Sequence, residues 1–228
     1  LHNSCYWYNA RVSRYYTVEN RIAAAADAVG RDPGAARLAA VSKRHPAERV
    51  RAALAAGHRV FGENRVQEAR EKYPELRREH PDLDLHLVGH LQSKKAEEAV
   101  EIFDVIQSVD REKVAAALAR AAEKVGRTPV CYVQVNTGEE AQKAGVAPGE
   151  TPALVARCRE LGLPVRGLMA IPPVDEEPAP HFALLAELAG DLDLPELSMG
   201  MSGDLETAVK LGATCVRVGT DVFGERPS

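Results

Sequence analysis

A lysine at the end of an apolar segment is the first side chain in the sequence that could do chemistry. Lys43 follows the run RLAAVS at residues 37–42, which is apolar enough to form a buried strand. Removal of a lysine from water lowers its pKa and frees the amine to act as a nucleophile. Such an amine can form a Schiff base with a phosphorylated aldehyde or ketone. A solvated lysine that merely opens a loop is the alternative on position alone.

Two glycine-containing segments near the C-terminus could bind the phosphate of such a compound. The segment Gly200-Met201-Ser202-Gly203 precedes a helix expected at about 204–211, so N–H groups and the Ser202 hydroxyl would form an anion site there. Gly219-Thr220 offers a second set of N–H groups and a second hydroxyl. The simpler interpretation is that Ser202 caps the helix and that the glycines form turns.

Arg217 lies two residues before Gly219, so the alternation of a strand would place both on the same face. A buried arginine requires an acceptor. That acceptor is either a ring nitrogen of the ligand held by Lys43 or an interior carboxylate such as Glu63. His86 is expected to point inward as an ordinary core histidine. Glu63 is either an acid or base or simply the partner of Arg217, and no role is derived for His90.

Eight short apolar runs recur along the chain and are expected to be strands, at residues 37–42, 58–62, 84–89, 104–108, 130–136, 165–170, 196–200 and 214–219. Segments with apolar residues at three- and four-residue spacing separate them and are typical of helices, for example 47–56, 66–79, 111–125 and 153–161. This alternation predicts an α/β fold with a parallel sheet covered by helices. Eight units without a break in composition favour a single closed (β/α)8 barrel, the TIM barrel.

In such a barrel the reactive groups lie at the C-terminal ends of the strands. Lys43 and the two glycine-containing segments would therefore converge on one rim. An additional N-terminal helix is expected at about 12–29, and no helix is expected after strand eight, so the additional helix would fill the eighth position. Residues 1–10, rich in aromatic side chains, are interpreted as an atypical start, which leaves residues 11–228 as the barrel domain.

The composition excludes several classes of protein. A formal net charge of −4 argues against a nucleic-acid-binding surface. No apolar run approaches the roughly 20 residues that span a bilayer. The four cysteines form no C-x-x-C pair, so a disulfide framework or a metal site is not expected and a reducing cytoplasm is the default location.

Several motifs in order resemble a known family, the pyridoxal phosphate homeostasis proteins of the YggS/PROSC type, related to the N-terminal barrel of alanine racemase. The resemblance covers about residues 18–226. It rests on AVSK at 40–43, FGEN-x-VQEA at 61–69, H-x-x-GHLQS-x-K at 86–95, Q-x-N-x-x-x-E-x-x-K-x-G at 134–145, RGLMAIPP at 166–173, LSMGMSGDLETA at 197–208 and VRVGTDVFGERP at 216–227.

The resemblance implies a barrel that binds pyridoxal 5′-phosphate (PLP). Lys43 would form the internal aldimine, and Arg217 would face the ring nitrogen. Ser202, Gly219 and Thr220 would hold the phosphate, with two neighbours completing the site, Met201 and Asn64. The family is associated with carrying or buffering PLP and with vitamin B6 and amino-acid homeostasis, without robust turnover. PLP-dependent apoenzymes are the expected partners, no nucleic acid or membrane is expected to bind, and the chain is expected to be a monomer.

The sequence departs from the family pattern beside the expected rim. Arg65 stands where the family usually has Tyr, Lys94 where it has Asn, and Arg44-His45 where a Thr often follows the lysine.

A small PLP-dependent amino-acid racemase is the main alternative function, but it needs acid–base groups on both cofactor faces. Outside the first sixteen residues the tyrosine candidates are Tyr73 and Tyr132, and the second domain of that enzyme class is not seen. A Schiff-base aldolase and an RNA- or protein-binding module are weaker alternatives.

Overall fold

The chain forms a closed barrel of eight parallel strands. A computed structural model describes the backbone of residues 2–225 and the side chains of residues 14–225. The strands pair in chain order, and the barrel closes where the last strand pairs with the first. The strands are β1 (Arg37–Val41), β2 (Val60–Glu63), β3 (Asp84–Leu87), β4 (Val105–Val109), β5 (Val130–Val135), β6 (Val165–Ala170), β7 (Glu196–Ser198) and β8 (Cys215–Val218). The predicted (β/α)8 barrel is confirmed.

Helices follow the strands and cover the outside of the barrel. Within the described residues they are α1 (His2–Asp27), α2 (Ala47–Ala55), α3 (Val66–Glu79), α4 (Ala96–Ile102), α5 (Glu112–Val125), α6 (Thr151–Glu160), α7 (Pro178–Asp191), α8 (Leu205–Lys210) and α9 (Thr220–Phe223). None of these helices is both long enough and apolar enough to cross a membrane, over the part of the chain that the structure describes.

Helix α1 occupies the place of the eighth barrel helix. It contacts α8 on one side and α2 on the other, and it also packs against α9. This confirms the predicted role of the N-terminal helix. The expectation that no helix follows strand eight was wrong, because the one-turn helix α9 begins at Thr220 and buries Val222 and Phe223. The apolar pair gives that single turn a place in the core.

The N-terminal boundary of the domain stays a prediction. Residue 1 and the side chains before residue 14 lie outside the described part, so the interpretation of residues 1–10 is not tested. The backbone of α1 runs through the predicted boundary at residue 11. Tyr15, just after it, packs against the core, and its ring centroid lies 5.0 Å from that of His58.

Alternation along each strand assigns side chains either to the barrel interior or to the layer beneath the helices. Along β8, Val216 and Val218 belong to the large apolar core under the helices, whereas Arg217 lies on the opposite face. On β5 the alternation places Tyr132 on the interior face, in a small separate cluster with Val105 and Met169. The interior of the barrel is therefore the more polar of the two sides.

The strands are shorter than predicted at most of their C-terminal ends. β7 ends at Ser198 rather than at Gly200, because Gly200 adopts a φ of +94° that begins a turn. β8 likewise ends at Val218, before Gly219. The predicted second strand began too early, because the His58 N–H donates to the Ala53 carbonyl of α2 and does not join the ladder. The residues that follow the shortened strand ends are those expected to line the rim of the barrel.

Candidate functional site

A cavity of about 340 Å³ lies at the C-terminal ends of the strands. All seven residues predicted for the site line it, namely Lys43, Asn64, Met201, Ser202, Arg217, Gly219 and Thr220. Gly203, from the predicted anion-binding segment, also lines it, whereas sequence reasoning missed Val41, His45, Val88 and Ile171. Among these described residues there are two basic side chains, Lys43 and Arg217, a histidine and no carboxylate. The charge of the wall therefore suits an anionic ligand.

Lys43 reaches the cavity because β1 ends two residues before it, at Val41. Val41 also lines the cavity, and the strand alternation sends Ser42, between them, to the opposite face. Lys43 itself is partly buried, as the apolar run before it predicted. His45 is buried in the same loop, with its ring centroid 5.4 Å from that of Phe223.

Asn64 is positioned by a close approach between two loops. A Cβ on Gly89 would lie 2.7 Å from the Cα of Asn64, so only glycine allows the loop after β3 to pass the end of β2 at this distance. The side chain of Asn64 has no hydrogen-bond partner among the described residues. Its amide is available to a ligand in the cavity.

The loops after β7 and β8 present two hydroxyls to the cavity. Ser202 and Thr220 both line it, and neither hydroxyl has a hydrogen-bond partner in the part of the chain that the structure describes. The alternative that Ser202 caps α8 is wrong, because Asp204 stands at the N-cap and its carboxylate accepts a bond from the Met201 N–H at 2.5 Å. Asp204 shapes the loop and leaves the Ser202 hydroxyl for a ligand.

Arg21 of α1 holds both of these loops, and sequence reasoning missed it. Its guanidinium donates to the Ser202 carbonyl at 3.0 Å, to the Glu206 carboxylate at 2.6 Å and to the Asp221 carboxylate at 2.7 Å. Glu206 follows the β7 loop and Asp221 follows the β8 loop. An acid placed just after each loop was the available signal, but its partner lies about two hundred positions away in sequence.

Arg217 is buried and donates to neutral acceptors. Its Nη1 donates to the Ser198 hydroxyl at 2.7 Å, and its Nη2 donates to the Ala170 carbonyl at 2.8 Å. Within the described residues no carboxylate pairs with it. Burial lowers the pKa of the Arg217 guanidinium, which means that its charge is costly here. An acceptor supplied by a ligand in the cavity would stabilise the charged form.

A chain of hydrogen bonds continues from Arg217 across the barrel interior. The Ser198 hydroxyl donates to Gln107 Oε1 at 2.6 Å, and Gln107 Nε2 lies 2.8 Å from His86 Nδ1. His86 Nε2 in turn lies 3.0 Å from the Asp84 carboxylate. His86 is thus the satisfied core histidine that the sequence predicted. The chain fixes the Ser198 oxygen on which Arg217 rests.

Glu63 is not the partner of Arg217, so that alternative was wrong. Its carboxylate accepts from the Ser42 hydroxyl at 2.6 Å and from Lys72 Nζ at 2.7 Å. Glu63 shares a face of β2 with Phe61, which packs against Tyr73 of α3, so the carboxylate points away from the barrel interior. Burial raises the pKa of the Glu63 carboxyl, and the charge of Lys72 opposes that shift.

The remaining candidates lie away from the cavity. The Tyr73 hydroxyl contacts the Ser42 hydroxyl at 2.7 Å beneath α3, and the Tyr132 hydroxyl bonds Glu196 and Arg37 at the opposite end of the barrel. His90 is half exposed and lies 3.3 Å from Asp110. No three His, Cys, Asp or Glu side chains converge as metal ligands within residues 14–225.

Comparison with known proteins places these features in a family. The family described as "Alanine racemase, N-terminal domain" matches residues 17–227. The pyridoxal phosphate homeostasis protein of Pseudomonas aeruginosa is 49% identical over 219 residues, which cover 92% of this chain and 93% of that protein. The protein of the same name from Escherichia coli is 38% identical over 223 residues, covering 92% and 94%.

Solved structures agree with the sequence relatives. PipY of Synechococcus elongatus, solved with PLP bound, is 42% identical with a TM-score of 0.80, and the match covers 94% of this chain and all of that one. Alanine racemase of Clostridium difficile shares the fold at 16% identity and a TM-score of 0.68, over 85% of this chain and 53% of that one. The chain belongs to the alanine racemase N-terminal domain family, among the members named pyridoxal phosphate homeostasis proteins.

Proposed function

We propose that this chain binds PLP in the cavity at the barrel mouth and carries or buffers it within the cytoplasm. One observation supports this most directly. The cavity wall combines Lys43, Arg217 and three polar side chains that have no hydrogen-bond partner among the described residues, and the described part of the wall has no carboxylate. PLP carries an aldehyde, a phosphate and a pyridine nitrogen, which need an amine, an anion site and a third polar partner. PipY, which is solved with PLP, supports the assignment.

The residues divide among the three parts of the cofactor. Lys43 would hold PLP through a Schiff base, which is the chemistry that the aldehyde supplies. Ser202 and Thr220 would donate to the phosphate from the loops after β7 and β8, where this fold commonly binds phosphate. Arg217 would donate to the ring nitrogen and keep it unprotonated, which makes the cofactor a poorer electron sink than an acidic partner would.

The same arrangement favours holding the cofactor over turning over a substrate. A racemase needs an acid or base on each face of the cofactor. Tyr73 and Tyr132 are both engaged elsewhere, by Ser42 and by Glu196, and neither lines the cavity. Delivery of PLP to apoenzymes and a monomeric state belong to this proposal. A different result would assign the chain as an enzyme. That result is exchange of the α-proton of alanine or serine with solvent at a rate typical of racemases.

Lys43→Ala is the decisive variant for the proposed function. The wild-type protein with added PLP is expected to turn yellow and to retain the cofactor after borohydride reduction, with the label on the peptide that contains Lys43. Lys43→Ala should abolish the label completely, because no other amine is expected in the cavity. Lys94→Ala, which changes an exposed lysine on the same rim, is the control and should label like wild type. A colourless wild-type protein, or a label on another lysine, would overturn the assignment.

A further inference from the structure

A second, smaller recess adjoins the cofactor cavity. It has a volume of about 140 Å³ and is lined by Lys43, Arg44, Asn64, Arg65 and Glu68. Lys43 and Asn64 belong to both spaces, so the recess opens onto the same lysine. It lies on the β2 side of Lys43, whereas the two hydroxyl-bearing loops lie on the β7 and β8 side. We refer to it as the basic recess.

The charges in the basic recess are unequal. The guanidinium groups of Arg44 and Arg65 have no ion pair or hydrogen bond with any described residue. Glu68 is the acid among the described residues of the wall, and it shares Lys72 with Glu63, because Lys72 Nζ lies 2.9 Å from the Glu68 carboxylate and 2.7 Å from that of Glu63. Even against the charge of Glu68, the two exposed arginines leave one positive charge that no described residue neutralises. The unmet charge lies beside the lysine proposed to hold the cofactor.

The backbone of Arg44 is held in an unusual conformation at the wall of the recess. Its φ is +62°, in the left-handed region that side chains other than glycine and asparagine seldom adopt. The Glu68 carboxylate accepts a hydrogen bond from the Arg44 N–H at 2.5 Å and secures this turn. Strain of this kind persists where the surrounding structure over-determines it, and such sites are often functional. Arg44, held in this turn, is one of the residues that line the recess.

We propose that the basic recess binds the carboxylate of a small amino acid or oxo acid whose other end faces Lys43. The two guanidinium groups suit a planar carboxylate, which accepts paired N–H bonds from an arginine. The guanidinium groups of Arg44 and Arg65 exceed the Glu68 carboxylate by one charge, which a monoanionic carboxylate matches and a phosphate dianion exceeds. The biological meaning of this subsite rests on the proposed function, but the binding itself requires no cofactor.

The subsite can be tested by NMR on the full-length chain without PLP. The Nε–Hε signals of arginine side chains report directly on contacts to a guanidinium group. Sodium propionate is the probe, propionamide is its uncharged counterpart and inorganic phosphate is the competing anion. Propionate should shift the signals of Arg44 and Arg65 along one saturating curve, and propionamide should leave them in place.

Variants assign the effect to the two arginines. Arg44→Gln and Arg65→Gln should each weaken propionate binding about fivefold, which is the scale of a partly exposed charge pair. Lys94→Gln alters an exposed cation outside the recess and should leave the affinity unchanged. Equal shifts with propionamide, tighter binding of phosphate than of propionate, or unchanged affinity in both arginine variants would each overturn the carboxylate subsite.

Failure of this test is distinguishable from failure of the proposed function. The titration uses the PLP-free chain, so an absent propionate effect leaves the borohydride labelling of Lys43 untouched. Conversely, a wild-type protein that fails to label with PLP could still bind propionate at Arg44 and Arg65. The two measurements therefore judge the two proposals separately.

Discussion

The inner and outer faces of β1 and β2 differ sharply although their residues are neighbours in sequence. On the outer face, beneath α3, Ser42 and Glu63 bond to each other and to the side chains of Lys72 and Tyr73. On the inner face, the next residue of each strand end, Lys43 and Asn64, lines the cavity at the barrel mouth. A single position along the chain therefore separates side chains that bond to one another beneath α3 from side chains that line the cavity.

The two lysines show what this difference means. Lys72 has a side chain only 8% exposed and lies within 2.9 Å of the carboxylates of Glu63 and Glu68, so its charge is compensated by the protein. The cavity that Lys43 lines offers no carboxylate among its described residues. Removal of one partner of a buried ion pair is strongly destabilising, whereas basic side chains that line a cavity suit an anionic ligand. Residue type alone does not distinguish the two cases.

Removal of Lys72 should have the largest effect on stability. Lys72→Met leaves the buried Glu63 without its cation, and we expect the free energy of unfolding of the PLP-free protein to fall by about 3 kcal/mol. Urea denaturation followed by circular dichroism measures it. The double variant Lys72→Met, Glu63→Gln should recover part of the loss, and Lys94→Met should have no effect. A loss under about 1 kcal/mol would show that the cluster beneath α3 does not contribute substantially to the stability of the fold.

Loss of a cavity hydroxyl should weaken the binding of PLP and leave the stability of the fold unchanged. Ser202→Ala and Thr220→Ala should each weaken PLP retention by about 1–3 kcal/mol, since a hydrogen bond to a charged group is lost. Equilibrium dialysis against PLP gives the affinity. The free energy of unfolding of the PLP-free protein should stay the same, because neither hydroxyl has a partner among the described residues. Unchanged affinity in both variants would place the phosphate elsewhere.

The contacts of Arg21 with the loops that line the cavity should make a smaller contribution to PLP affinity. Arg21→Met removes the contacts to the β7 loop, to Glu206 and to Asp221. Because the contacts are partly exposed, we expect a loss of about 1 kcal/mol in PLP affinity. Arg31→Met, which removes contacts from the loop after α1 to the Val209 and Ala213 carbonyls, is a matched control that does not touch Ser202. A larger effect from the control would deny Arg21 a positioning role.

Much of the site followed from counting strands. Once eight units were recognised, the residues just after each strand had to meet at one end of the barrel, and Lys43, Asn64 and Thr220 do. Arg217 followed from alternation, because an odd number of positions cannot separate residues on one face of a strand. These inferences needed only local periodicity and one rule of the fold.

The sequence predictions that were wrong or incomplete have a different cause, which is that they depend on contacts or elements without a local pattern. Glu63 was offered as the partner of Arg217 because both are charged residues near strand ends, yet alternation with Phe61 places Glu63 under α3. Arg21, Ser198 and Gln107 escaped notice because their contacts join distant parts of the chain. Helix α9 was missed because a single turn has too few residues to show a period.

The sequence by itself determined the barrel, the family and seven of the residues that line the cavity, because strand periodicity and the motifs are local properties of the chain. Only the tertiary structure decided which charges are compensated. Pairing of Lys72 with Glu63, of Arg21 with both loops and of Arg217 with Ser198 depends on distances between elements far apart in sequence. Electrostatic energy follows those distances and not the order of residues, so the structure was needed to separate the groups that hold the fold from those that face a ligand.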